Sequence, residues 1–275
     1  MPSEVPLQPL QCLFEEDGLQ AAELPARIGE LYGGSFGLAE PCVYTNFVST
    51  IDGVVAVPAV PRSNALIAGG SDGDRFVMGL LRAFADCVLI GAGTLAASPK
   101  GTWLAESVFP DCAEDFAELR RTRGRPPKPE MAIVTGRGSV DLAHPVLERA
   151  VVLTSDEGAE RLAGRLPAAT GVIALGAHVR LDPRLVVGAL RERGHRLILS
   201  EAGPHTFGGL LEAGVVDELF LTVSPLLAGS RGADDVCGLV ESTRLLPPGV
   251  PANLLSVRRH EQHLFLRYEI ENEPR

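Results

Sequence analysis

The segment from Leu197 to Leu219 constrains this chain more than any other. A short apolar run, Leu197-Ile198-Leu199-Ser200, ends in the lone acid Glu201, and Ala202-Gly203-Pro204 then turns the chain into a helix. An apolar run of this length bounded by turn residues reads as a buried strand. Pro204 suits the first helical position, where no backbone N–H is required, and Gly203 permits the tight turn before it. The free N–H groups of that first turn, with the helix dipole, make a site for phosphate oxygens. Glu201 falls at the carboxyl end of the strand, where open α/β sheets bind ligands. The competing reading is an ordinary strand-to-helix corner with a solvated Glu.

The same alternation runs through most of the chain. Strands are expected near 42–49, 86–91, 130–135, 150–154, 171–175, 196–201, 216–224 and 262–270. Helices are expected near 72–85, 113–123, 156–166, 182–194 and 204–213. In the first of these helices Ser71 or Asp72 can cap, and Phe76, Val77, Leu80, Leu81 and Phe84 share one face, with Arg82 off it. Strands alternating with helices indicate an α/β sheet covered on both sides. From 216 onward strands follow one another, which implies an antiparallel edge. Residues 1–40, rich in Pro, Gly and acids, read as an arm or short helix ahead of a single domain spanning 41–275.

A chain of 275 residues, 45% hydrophobic, can bury a sizeable core. Its net charge of −10 disfavours nucleic acid, whose phosphates need a basic face, but not a phosphorylated small molecule. Cys12, Cys42, Cys87, Cys112 and Cys237 form no C-x-x-C pair and the His residues no H-x-x-x-H pair, so no metal site is expected. Buried thiols, no signal-peptide pattern and no apolar run of membrane-spanning length imply a cytoplasmic protein with no membrane partner.

Two further turns carry polar groups at strand ends. Gly91-Ala92-Gly93-Thr94-Leu95-Ala96 fits a relaxed dinucleotide fingerprint, but Ser98-Pro99-Lys100-Gly101 breaks the chain after about one turn. The Rossmann motif requires a full helix there, so that assignment is disfavoured. The turn can still offer N–H groups and the Thr94 hydroxyl to a cofactor, or Thr94 can merely cap a short helix. Asn46-Phe47-Val48-Ser49-Thr50-Ile51-Asp52-Gly53 ends the first strand in a polar cluster, and Asp52-Gly53 alone would be a plain β-turn.

These blocks, with Asp74-Arg75-Phe76-Val77-Met78-Gly79-Leu80-Leu81-Arg82 and the closing Ser224-Pro225-Leu226-Leu227-Ala228-Gly229, occur in one order across roughly residues 42 to 270. In that order they resemble the reductase domain of the bacterial riboflavin-biosynthesis deaminase-reductase family. The resemblance implies a three-layer α/β/α fold like that of dihydrofolate reductase, with a mostly parallel sheet and an antiparallel C-terminal edge. It implies NADPH-dependent reduction of a ribosylamino-uracil 5′-phosphate to its ribitylamino product, by a homodimer. By the same resemblance, Gly203, Pro204, His205, Thr206, Phe207, Gly208 and Gly209 hold the cofactor pyrophosphate, with Thr94 and the Val48 backbone adding contacts. Ser63, Arg82 and Glu201 contact substrate, and Asp52 and Glu201 lie at the reacting centre. Arg137 matches no family position. It sits in the Gly-rich turn after the strand Ala132-Ile133-Val134, where a planar guanidinium would suit the NADPH 2′-phosphate; the competing reading is a solvated turn Arg.

Two departures from the family are visible. The H-x-E and P-C-x-x-C pattern of its zinc deaminase is absent, so a reductase without a deaminase is expected. After Thr94 the family's Asp-Asp-Pro-x-Leu-x-x-Arg segment is replaced by Ser98-Pro99-Lys100-Gly101-Thr102-Trp103, leaving Lys100 as the cation available to a substrate phosphate. That change keeps open a relative acting on another pyrimidine or pterin such as dihydrofolate. A nucleotide-binding protein without turnover is a third reading. Hydride transfer needs positioning and a proton donor more than a nucleophile, which agrees with the lack of any triad or metal cluster.

Overall fold

The computed structural model describes residues 7–60, 62–230, 232 and 235–272. In chain order the first elements are β1 (Gln11–Glu15), α1 (Ala26–Tyr32), β2 (Cys42–Ser49), β3 (Val54–Ala56), α2 (Ser63–Ile67), α3 (Asp72–Phe84) and β4 (Cys87–Gly91). Then come α4 (Ala92–Ala97), α5 (Ala105–Val108), α6 (Ala113–Thr122), β5 (Glu130–Val134), β6 (Ala150–Thr154), α7 (Asp156–Leu162) and β7 (Gly171–Ala174). The chain closes with α8 (Pro183–Glu192), β8 (Leu197–Ser200), α9 (Pro204–Glu212), β9 (Glu218–Val223), β10 (Cys237–Gly238), β11 (Ala252–His260) and β12 (His263–Ile270).

Ten strands form one sheet in the order β1-β11-β12-β9-β2-β8-β4-β5-β6-β7. From β9 to β7 every neighbour is parallel, while β12, β11 and β1 add an antiparallel edge. Burial on both faces explains the unbroken apolar runs in β4, β6 and β8, all of whose residues are buried. One face carries α1, α3, α5, α6 and α7 over a core that includes Phe36, Tyr44, Phe76, Phe84 and Phe116. The other carries α8 and α9, whose Val186, Leu190, Phe207 and Leu210 pack on Val43, Leu89 and Ile198. Together the layers make the three-layer α/β arrangement expected from the alternation.

The segment read as an arm is built into these layers. Leu10, Ile28, Leu31 and Phe36 join the first core, and β1 pairs with β11. Arg258 of β11 lies 3.9 Å over the Tyr32 ring, donates to the Tyr32 carbonyl and pairs with Glu15, so a buried cation ties β1 and α1 to the edge.

Local chemistry sets the helix that matters most to the site. Ser71 Oγ accepts from the Asp74 N–H at 3.2 Å, capping α3, with Asp72 and Asp74 in the first turn. At its far end the buried Arg120 of α6 donates to the carbonyls of Ala83 at 3.0 Å, Ala85 at 2.7 Å and Pro126 at 2.7 Å. The bonds to Ala83 and Ala85 satisfy carbonyls that the end of α3 leaves open, and the bond to Pro126 ties in the loop after α6. Replacing Arg120 with Ala strands these carbonyls, and each charge-assisted bond contributes about 1.5–3 kcal/mol. Arg120→Ala is therefore expected to destabilise the fold by at least about 3 kcal/mol in urea unfolding. An unchanged midpoint would show that α3 ends without this support.

Candidate active site

Strand order creates a crevice before any side chain is considered. From β4 the chain crosses through α4, α5 and α6 to β5 on one side, whereas from β8 it crosses through α9 to β9, beyond β2 on the other. Connections that leave neighbouring strands in opposite directions open a cleft at their carboxyl ends. Here those strands are β4 and β8, and the Glu201 N–H continues their ladder by donating to the Leu89 carbonyl at 2.9 Å. β8 pairs with β2 only along Cys42–Thr45, so Asn46–Ser49 has β9 alone as its strand neighbour. Val48 lies in that half-paired stretch.

Glu201 and Arg82 meet in the cleft. Arg82 Nε and Nη2 donate to Glu201 Oε1 and Oε2, each at 2.7 Å, a bidentate pair with both side chains about one-tenth exposed. Arg82 thus leaves the apolar face of α3 to reach the end of β8, and the solvated-Glu reading of the corner fails. Asp74, one face of α3 away and only 4% exposed, lies within electrostatic reach of both. Burial raises its pKa above the usual carboxylate value, opposed by a hydrogen bond from the Thr222 side chain and by the nearby His263 and Arg82. Sequence reasoning missed Asp74 as a site group, because as a first-turn acid it is indistinguishable from a dipole-capping residue.

The α8–α9 side of the cleft holds a cavity of about 640 Å³. Its apolar floor is Leu89, Val134, Val186 and Leu210, and His205, Thr206 and Gly209 of α9 line it with Ser242. The turns of β4 and β8 abut: a Cβ on Gly203 would sit 3.9 Å from Thr94 Oγ1, and one on Gly91 would sit 3.4 Å from Thr206 Oγ1. At the carboxyl end of β8 the buried Ser200 hydroxyl has no partner among the described residues. Size, apolar floor and convergent hydroxyls fit a nucleotide cofactor. α4 stops at Ala97, as the Ser98-Pro99 break implies, so no Rossmann helix forms.

The remaining expected residues have local partners of their own. Phe207 packs inward against Phe47, ring centroids 4.9 Å apart, and supports α9 from below. Gly208 faces residues 241–243. The Ser63 hydroxyl accepts from the Val57 N–H at 2.9 Å and closes the β3–α2 turn. Asp52 accepts from Thr50 Oγ1 at 2.5 Å, from the Ala228 N–H at 3.1 Å and from the Gly229 N–H at 2.7 Å. These bonds pull its pKa down to about 2, so at neutral pH it is an anion gripping a loop and has no proton to give. Arg137 is exposed beside the cavity-lining Gly136. Arg180 and Arg184 do line the cavity, facing Asp182 and Glu212, and no motif had marked them.

Residues 41–262 match the family described as the RibD C-terminal domain. The chain belongs to that family. Among solved structures, a pyrimidine reductase-like protein from Corynebacterium diphtheriae matches with a TM-score of 0.66 at 20% identity, covering 85% of this chain and 93% of its own. RibD from Acinetobacter baumannii matches with 0.64 at 20% identity over 89% of this chain, which spans 60% of that protein. The riboflavin biosynthesis reductase Rib7 of Saccharomyces cerevisiae matches with 0.55 at 15% identity, covering 87% and 94%. At such identities these structures show a shared fold. No curated protein matches the chain.

The ion pair makes a stability prediction separable from any activity. Removing one member of a buried pair leaves an uncompensated charge and costs about 3–5 kcal/mol, whereas an apolar replacement of both can be neutral. Arg82→Met should destabilise by that amount, and Arg82→Met/Glu201→Met should recover most of the loss in denaturant unfolding. Additive losses in the double variant would show that the two groups are not coupled.

Proposed function

We propose that this protein is a nicotinamide-dependent reductase of a ribosylated pyrimidine, with NADPH as cofactor and a ribosylamino-uracil 5′-phosphate as substrate. The observation that carries this reading is the buried Arg82–Glu201 pair set at the switch-point cleft, beside the cavity under α9. Membership of the RibD C-terminal domain family supports it.

When bound, NADPH supplies the hydride for the sugar carbon. The residues of this chain bind and orient. Gly203, His205, Thr206 and Gly209 offer α9's first turns to the pyrophosphate, where backbone N–H groups and the helix dipole favour anions, and Thr94 faces them from the neighbouring turn. The Val48 stretch, having no strand on its β8 side, is available to the nicotinamide amide. Arg82 holds Glu201 in one rotamer through its two hydrogen bonds, so that the carboxylate can accept from substrate hydroxyl or N–H groups. Arg137 beside Gly136 is suited to a 2′-phosphate at the far end of the cavity. Lys100, exposed after α4, takes the place of the family's Arg as a cation for the substrate phosphate, and this substitution favours a second reading in which the substrate lacks that phosphate.

NADPH oxidation measured against the ribosylamino-uracil phosphate, its dephosphorylated form and dihydrofolate separates these readings. The phosphorylated pyrimidine should turn over fastest. Glu201→Gln should lower kcat/KM at least tenfold while leaving NADPH affinity nearly intact. Arg137→Ala should weaken NADPH by about 1.5–3 kcal/mol and spare NADH. Preference for the dephosphorylated compound would favour the second reading, and no oxidation with any of the three would contradict a reductase.

A further inference from the structure

The connection between β9 and β11 crosses the face of α9, and three contacts hold it there. The Glu241 N–H donates to the Pro204 carbonyl at 3.3 Å. Gly208 lies so close beneath that a Cβ would stand 2.3 Å from the Glu241 carbonyl oxygen, so only glycine admits the crossing chain. His205 Nδ1 and Ser242 Oγ are hydrogen-bonded at 2.7 Å. Upstream, the same strap is fastened to β3 by β10, its partner in a separate two-stranded sheet, and is braced internally by the Gly238 N–H on Glu241 Oε1 at 2.8 Å.

Ser242 is the residue in this strap that local energetics does not explain. Its φ is 60°, in the left-handed region that non-glycine residues rarely occupy. Backbone in such a conformation persists where surrounding contacts over-determine it, and such positions concentrate at ligand clamps. The conformation brings the hydroxyl onto His205 Nδ1, and both residues line the 640 Å³ cavity. No acceptor or donor among the described residues takes the other ring nitrogen. A histidine ring with one nitrogen held in a hydrogen bond presents the other in a defined direction.

We infer that Ser242 is a positioning residue of the cofactor cleft: the strap holds its hydroxyl on His205 so that the free ring nitrogen faces the bound phosphates. The inference rests on the nicotinamide-cofactor reading of the cavity. It adds to that site a residue from outside the strand-to-helix turns, supplied by the β9–β11 connection.

Calorimetric titration with NADPH, paired with thermal unfolding, tests it. Ser242→Gly removes the hydroxyl and also relieves the left-handed backbone, so its Tm should equal or exceed that of the wild type. Its NADPH Kd should nevertheless rise about three- to tenfold, the equivalent of one neutral hydrogen bond. Ser242→Asn, which tolerates the left-handed region and can bond to the ring, should recover most of the affinity. Adding Ser242→Gly to His205→Ala should bring no further loss, because the serine acts through the ring. Wild-type affinity in Ser242→Gly, a parallel fall in Tm and affinity, or additive losses with His205→Ala would each overturn the assignment. If the wild type itself binds no NADPH, the cofactor reading fails first, and that result is distinct from a wild type that binds and a Ser242→Gly variant that binds equally well.

Discussion

The reversal of strand order between β4 and β8 is the constraint on which the site depends. β8 ends at Ser200, short of its neighbour β2, and the chain leaves it through α9 in the direction opposite to that taken from β4. A sheet buried on both faces leaves few places for polar chemistry, and this gap at the carboxyl ends is one of them. The Arg82–Glu201 pair fills one side of it, and the N-terminal turn of α9 borders the other. The pair also ties α3 to β8 across the cleft, so the geometry of the site and the packing of the first core share one interaction.

Several buried cations serve the same architectural purpose. Arg120 closes the end of α3, Arg258 binds β1 and α1 to the edge, and Arg267 pairs with Glu218 at 2.6 Å while donating to the Gly37 carbonyl at 2.9 Å. A planar guanidinium can satisfy several acceptors at once, which makes it suited to joining elements distant in sequence. Such groups are costly to desolvate and contribute more to defining one arrangement than to net stability. In an acidic chain of net charge −10, these arginines are committed to the interior and are not available to a phosphate. Lys100, Arg137 and Arg184 are exposed instead.

Much of the central sheet was legible because strands buried on both sides leave short apolar runs, and because Ser71, Asp182 and Pro204 announce helix starts. Residues 7–40 and β11 were not legible for the converse reason. Pro9, Gly18, Pro25, Gly33 and Gly34 break residues 7–40 into pieces too short to show a period, and Arg258, which is 1% exposed, disguises β11 as a surface segment. The helical period correctly took Arg82 off the apolar face, but its partner lies 119 residues away and no local rule connects them. Asp52 is the opposite case: its position in a polar turn was clear, whereas its bonds to the Ala228 and Gly229 N–H groups, which tie the turn to a loop 176 residues on, follow no local rule. Thr94 and the α9 turn were readable as strand-end loops. Arg180 and Ser242 carry no motif, and Asp74 opens a family block with no local sign of a site role; all three are brought to the cleft by tertiary packing alone.

The central claim is that the β4–β8 cleft joins a cofactor cavity under α9 to a substrate position at Arg82–Glu201. A crystal structure with NADP⁺ bound tests it most directly. Pyrophosphate density is expected against His205 and Thr206, with the nicotinamide ring in the gap between Val48 and Glu201 and the Arg82–Glu201 bonds retained. Pyrophosphate bound away from α9, or a nicotinamide ring remote from Glu201, would contradict it.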